Sequence, residues 1–201
     1  MNPILERIQY NFSESIQTKI NTIDHIANAI TQAGEKIVQS LLEGCKIMSC
    51  GNGGSACLAL HFSSSMLNQF KQERPSLPAI ALTSDISTLT AIANNHHYHD
   101  VFAKQVRALG QAGDLLLAIS TSGNSGNVVH AIKAAQDKQI NTIALTGHDG
   151  GKIASLMQEK DIEIRVQAYD AARIQETHLL IMHCLCDIVD YRLFGHGEIG
   201  T

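Results

Sequence analysis

Apolar residues recur through the first forty positions at the spacing of one helix face, with Ile4, Ile8, Phe12, Ile16, Ile20, Ile23 and Ala27 forming a stripe. Gly34 falls inside this stretch, and its poor helix propensity predicts a break into two helices that end before Gly44. A stripe of that length must be covered, either across a sheet or by a second subunit. Beyond Gly44 the period changes. Short continuous apolar runs at 46–50, 79–82, 114–119 and 141–146 have the character of strands buried on both faces of a parallel sheet. Between them lie amphipathic segments at 56–70, 86–93 and 101–109, and a helix carrying Val128, Val129, Ile132 and Ala135. Residues 161–166 alternate apolar and polar, as an edge strand does, and 152–157 and 171–194 supply the last helices. The expected fold class is therefore α/β, a doubly wound five-stranded parallel sheet with an N-terminal helical extension over 1–44 and the α/β domain over 45–201. In such a sheet ligands bind at the carboxyl ends of the strands.

Two junctions at that edge carry chemistry. Ile119-Ser120-Thr121-Ser122-Gly123-Asn124-Ser125 joins an apolar strand to an amphipathic helix. It sets the hydroxyls of Ser120, Thr121, Ser122 and Ser125 beside the free N–H groups and positive dipole end of that helix, a cradle for a phosphate. A plain N-cap by Ser125 or Asn124 would use the same residues. Gly51-Asn52-Gly53-Gly54-Ser55 is a second strand-to-helix turn, where glycines let backbone amides approach an anion. Its spacing fits neither a dinucleotide fingerprint nor a Walker loop.

Polar residues on the helices add candidates. His61 and Ser65 are four apart on one helix face. Gln175, His178 and His183 interrupt the apolar pattern of the last helix and call for partners or solvent. His96, His97 and His99 cluster after the third helical segment without a carboxylate group or an i, i+4 pair, which favours a solvated loop over a metal site.

Composition narrows the function classes. The chain has 201 residues, 44% hydrophobic and 17% charged, with a net charge of −4. No Lys/Arg block is present to neutralise a nucleic-acid backbone, so direct nucleic-acid binding is not expected. Five cysteines in no disulfide or zinc spacing suit reduced core thiols. With no apolar leader at the N-terminus and no apolar run of membrane-spanning length, a cytoplasmic protein without membrane contact is expected.

Gly51-Asn52-Gly53-Gly54-Ser55, the segment 119–125, Ala144-Leu145-Thr146-Gly147 with Asp149-Gly150-Gly151, and Arg173-Ile174-Gln175-Glu176 together resemble the sugar isomerase (SIS) domain family, in its phosphoheptose isomerases. The resemblance extends from the N-terminal helices to His183. It implies conversion of sedoheptulose 7-phosphate to D-glycero-D-manno-heptose 7-phosphate. It places phosphate and sugar at Asn52, Gly53, Gly54, Ser55, Asn94, Ser120, Thr121, Ser122, Ser125 and Gln175, and metal and acid/base positions at His61, Ser65, Gln175 and His183. The chain departs from the family's His-Phe-x-x-Glu pattern in having Ser65, and has Asn95 where the isomerases have aspartate. A serine hydroxyl replaces neither a general base nor an anionic zinc ligand.

Phe62-Ser63-Ser64-Ser65-Met66, the run 73–82, the run 104–110 and Cys184-Leu185-Cys186-Asp187 resemble instead the branch of the family whose members associate with the replication initiator DnaA, with Leu193 and Phe194 at its apolar contact pair. The leading expectation is thus a non-catalytic homotetramer that binds DnaA and promotes timely initiation of chromosomal replication. It requires no cofactor, has lost its base at Ser65, and keeps the acid position at His183 and a residual metal site at His61, Gln175 and His183. The alternative is an active phosphoheptose isomerase, with zinc as its metal. A sugar-phosphate sensor is a further reading.

Overall fold

The computed structural model describes residues 2–195. Five strands, β1 (Ile47–Gly51), β2 (Ala79–Ala81), β3 (Leu115–Ser120), β4 (Asn141–Gly147) and β5 (Ile162–Val166), form one parallel sheet in the order β2-β1-β3-β4-β5. The helices are α1 (Pro3–Leu42), α2 (Gly54–Leu67), α3 (Ile86–Asn95), α4 (Val101–Leu109), α5 (Gly126–Asp137), α6 (Gly151–Ala154) and α7 (Ala171–Phe194), with a 3₁₀ turn at Tyr98–Asp100. The α/β reading and the edge position of the alternating β5 hold.

β3 is the central strand, and all 6 of its residues are buried. The two-residue period of a strand sends Leu115, Leu117 and Ile119 into a layer with α1, α2 and α7. Leu116 and Ala118 enter the opposite layer with α4 and α5. This two-sided burial explains why the strands read as unbroken apolar runs.

The predicted break at Gly34 does not occur, because α1 is a single helix of 40 residues. A Cβ on Gly34 would lie 2.6 Å from Cγ2 of Ile188, so the glycine admits α7 to close contact. Packing outweighs a propensity cost of about 1 kcal/mol. Ile26, Ile30, Ala33, Ile37 and Val38 bury the second half of α1 in the core. Its first half keeps the predicted stripe exposed, with Ile4 at 68% and Phe12 at 69%. Among the described residues no helix is long and apolar enough to cross a membrane. The cysteines are free; Cys50 and Cys186 are core thiols that burial pushes up to about 12, whereas Cys57 is exposed.

The chain leaves β1 toward β2 and then crosses to β3 on the other side, so the order reverses between β1 and β3. Gly51 pairs with Ile119 at the carboxyl ends of those two strands. The two glycine- and hydroxyl-rich loops therefore emerge side by side at the switch point of the sheet.

Candidate functional site

The loop after β3 folds tightly on itself. Gly123 takes φ +64°, which L side chains rarely adopt, and its N–H bonds Ser120 O at 3.1 Å. Ser125 occupies the N-cap position of α5 without a side-chain cap bond, so the first-turn N–H groups are not closed by a hydroxyl. Its Oγ instead accepts the buried Ser120 hydroxyl at 3.0 Å, leaving its own O–H free to donate. Ser122 turns back to accept the N–H of Asn124 at 3.2 Å. Asn124 in turn bonds Ser122 O at 2.8 Å and receives the N–H of Lys152 at 3.1 Å, tying this loop to the start of α6. The loop after β1 enters α2 through Gly53, at φ +54°, also without a side-chain cap. Ser55 is buried, at 4% exposure, in the first turn of α2.

The remaining candidates lie along α2 and α7. A Cβ on Gly54 would sit 2.7 Å from Gln175 Oε1, so the Gln175 amide lies over the start of α2. Farther along the same two helices, His61 Nε2 and His183 Nε2 are 3.0 Å apart with rings edge to face. Contacts at 54 with 175 and at 61 with 183 mean that α2 and α7 run side by side in the same direction. The histidine pair then stands roughly 10 Å along α2 from the loops after β1 and β3. His61 is exposed and His183 half-buried, with Phe70 packed at 5.5 Å from the His183 ring. Burial, helped by His61 and Lys71, lowers the His183 pKa from the ordinary histidine value. Lys71 itself pairs with Asp187 at 2.7 Å, which raises it.

Ser65, one turn past His61, is buried at 6% exposure, and its carbonyl accepts Arg74 Nη2 at 2.7 Å. Arg74 also bonds Met66 O at 2.8 Å and pairs through Nε with Asp190 at 2.7 Å. It thus closes the carboxyl end of α2, which carries no basic residue of its own in its last turn. Asn94 stands exposed near the end of α3, with its amide 3.2 Å from Asn95 Oδ1. His178 is buried and bonds Thr146 O at 2.9 Å through Nε2, one of the polar groups whose partner the sequence left open. Two residues that sequence reasoning passed over join the site: Asn127, which pairs with Asn52, and Tyr98, which reaches the same asparagine. Only the burial of Asn127 within the turn singles it out, and spacing carries no sign of that.

A SIS domain family model matches residues 11–147. The chain is 57% identical over 97% of its length to a phosphoheptose isomerase of Coxiella burnetii, covering 98% of that protein. It is 56% identical over 97% of its length to one of Shewanella frigidimarina, covering 99% of it. This chain belongs to the SIS domain family, among its phosphoheptose isomerase-like members. The fold of this SIS domain matches the phosphoheptose isomerase of Francisella tularensis with a TM-score of 0.90 at 48% identity, over 92% of this chain and 97% of that one. The Neisseria gonorrhoeae phosphoheptose isomerase GmhA gives 0.89 at 46% identity, over 93% and 98%.

These relatives overturn the expectation of a non-catalytic DnaA scaffold, since they carry an isomerase's name across nearly the whole chain. The apolar pair once assigned to the initiator has a different setting: Leu193 packs against the SIS domain's own core, and the Phe194 ring lies 5.9 Å from the Arg74 guanidinium. As for zinc, a catalytic site takes three protein ligands as a rule. Among the described residues no group of three or more His, Cys, Asp or Glu side chains is gathered to hold an ion. The His61–His183 pair supplies two imidazoles, and Ser65 adds no anionic ligand. The donor set does not fit a catalytic zinc of the usual kind.

Proposed function

We propose that this SIS domain is a cytoplasmic, homotetrameric aldose–ketose isomerase acting on sedoheptulose 7-phosphate, a reading that the phosphoheptose isomerase names of its relatives support. The observation that carries the reading is the pair of imidazoles in direct contact, 3.0 Å apart, on the same two helices whose amino-terminal ends meet the phosphate loops. The phosphate is held by the first turn of α5, the Ser125 hydroxyl and the backbone of the turn at 51–54, with the buried Ser120 hydroxyl fixing Ser125 in place. Gln175, over Gly54, offers its amide to the sugar hydroxyls. An open-chain sugar phosphate anchored there extends along α2 and α7 and brings its carbonyl end to the histidines.

Isomerisation moves one proton between neighbouring carbons and one between their oxygens, with no net oxidation. A base takes the proton from the carbon beside the carbonyl, an enediol forms, and the proton returns to the former carbonyl carbon. His183 serves as that base, since burial disfavours a second proton on its ring. His61, hydrogen-bonded to it, is exposed and exchanges protons with the substrate oxygens. Neither role falls to Ser65, which lies buried under Arg74.

Turnover of sedoheptulose 7-phosphate by the wild type and by His183→Gln tests the reading. The wild type is expected to turn over, and the variant to lose about 10²–10⁴ in rate, the contribution of a positioned acid/base group. A wild type without turnover, or a variant as fast as the wild type, refutes it.

A further inference from the structure

The histidine-rich segment that looked like a solvated loop ends in the 3₁₀ turn Tyr98–Asp100, and each residue of that turn touches one of the two phosphate-loop elements. Tyr98 donates its hydroxyl to Asn52 Oδ1 at 3.0 Å, in the loop after β1. His99 packs against the first residue of α5, where a Cβ on Gly126 would lie 2.7 Å from its Nε2. Asp100 pairs with His130 on the second turn of α5 at 3.2 Å. Beneath the turn, Asn52 and Asn127 form a reciprocal amide pair, each Nδ2 donating to the other's Oδ1 at 2.8 Å. Asn127 is 2% exposed, and its Oδ1 also accepts the N–H of Val128 at 3.0 Å. A reciprocal pair needs one donor and one acceptor on each side, so an ionised carboxylate in either place cannot reproduce it. With Oδ1 taken twice and one N–H given to Asn127, Asn52 retains a single free N–H beside the open turn of α5.

Resting on the sugar-phosphate reading above, we propose that Asn127 and Tyr98 are positioning residues that hold Asn52 in the orientation where its free N–H and the first turn of α5 grip one phosphate together. Neither touches the reacting atoms. Their effect is on binding: the two loops come from different strands, and each bond between them fixes the geometry before the ligand arrives.

The full-length protein, free and with inorganic phosphate or sedoheptulose 7-phosphate, serves for the test. Calorimetry is expected to show Asn127→Ala weakening phosphate binding by about tenfold, and Tyr98→Phe by about threefold, the range of one buried and one exposed hydrogen bond. In turnover both raise KM by similar factors while kcat changes less than twofold, a split that a general loss of fold does not give. Because both act through Asn52, the double variant falls short of the product of the single effects. Tyr98→Phe removes one surface hydroxyl and keeps the test open if Asn127→Ala fails to fold. Unchanged phosphate affinity in Tyr98→Phe, or multiplicative effects in the double variant, overturns the proposal while leaving the isomerase reading intact. A wild type that binds phosphate but does not turn over sugar refutes the isomerase reading alone, and one that binds neither ligand refutes both.

Discussion

His178 is the residue whose environment most constrains its chemistry. It is fully buried, donates Nε2–H to Thr146 O at 2.9 Å, and its Nδ1 has no partner among the described residues, so a second proton would go unpaired. Burial lowers its pKa to about 4, against the bond to Thr146 that works the other way. Above about pH 6.5 the ring is neutral in both folded and unfolded chains and contributes no pH dependence. Between 6.5 and about 4 the unfolded chain takes up a proton that the native chain refuses, so stability falls as the pH falls. The full penalty is on the order of 3 kcal/mol. His178→Gln retains an N–H for Thr146 without titrating. Urea unfolding across this window should show a shallower acid decline in the variant than in the wild type, whatever its stability at neutral pH; equal slopes would mean that His178 is not the group responsible.

At the scale of elements, how much the sequence discloses depends on whether burial is local or comes from another part of the chain. The strands, α4 over Val101–Leu109 and α7 over Ala171–Phe194 were legible because their apolar periods are set by layers on both sides of the sheet. The loops after β1 and β3 were legible as strand-to-helix junctions at the carboxyl edge because their glycines and hydroxyls follow unbroken apolar runs. The clip at Tyr98–Asp100 and the Asn52–Asn127 pair were not, since their partners lie 46 and 75 positions away in the chain. Gly34 was misread for the same reason: its partner, Ile188, is near the other end of the chain. That contact makes a prediction with opposed terms. Gly34→Ala gains up to about 1 kcal/mol of helix propensity but sets its Cβ against the branch of Ile188 at Cγ2 and Cβ as well as its tip, so α7 must give way. Its net effect on chemical denaturation should be a loss of about 1 kcal/mol. Gly34→Leu puts more bulk in the same place, and is expected to cost about 3 kcal/mol. A neutral Gly34→Leu would show that α1 and α7 have room to separate.

At the scale of the molecule, the apolar stripe on the first half of α1 is left uncovered by the described residues. Ile8, Phe12, Ile16 and Ile20 are 49%, 69%, 57% and 58% exposed, and Ile4 and Ile23 continue the row. The segment is not free to fold back over them, because Arg173 on α7 holds Asn11 O at 2.8 Å and α1 runs on unbroken into the core. A row of exposed isoleucines with Phe12 along one helix is a surface that a second copy related by a two-fold axis would cover with the same residues. This is the interface on which the proposed tetramer depends. Each half-exposed side chain would gain about 1 kcal/mol on being covered. Ile8→Ser with Ile16→Ser, present in both copies, then removes about 4 kcal/mol, close to a thousandfold in dissociation constant. Light scattering at low micromolar concentration should therefore find the wild type as a tetramer and the double variant as a smaller species, with a thermal transition that moves with protein concentration only in the assembling form. A wild type that is monomeric, or a variant of undiminished mass, would leave the stripe without a second copy to cover it. The substitutions face solvent in the single chain, so far-ultraviolet circular dichroism of the variant should match the wild type, and a loss of helix would mark the result as unfolding and not dissociation.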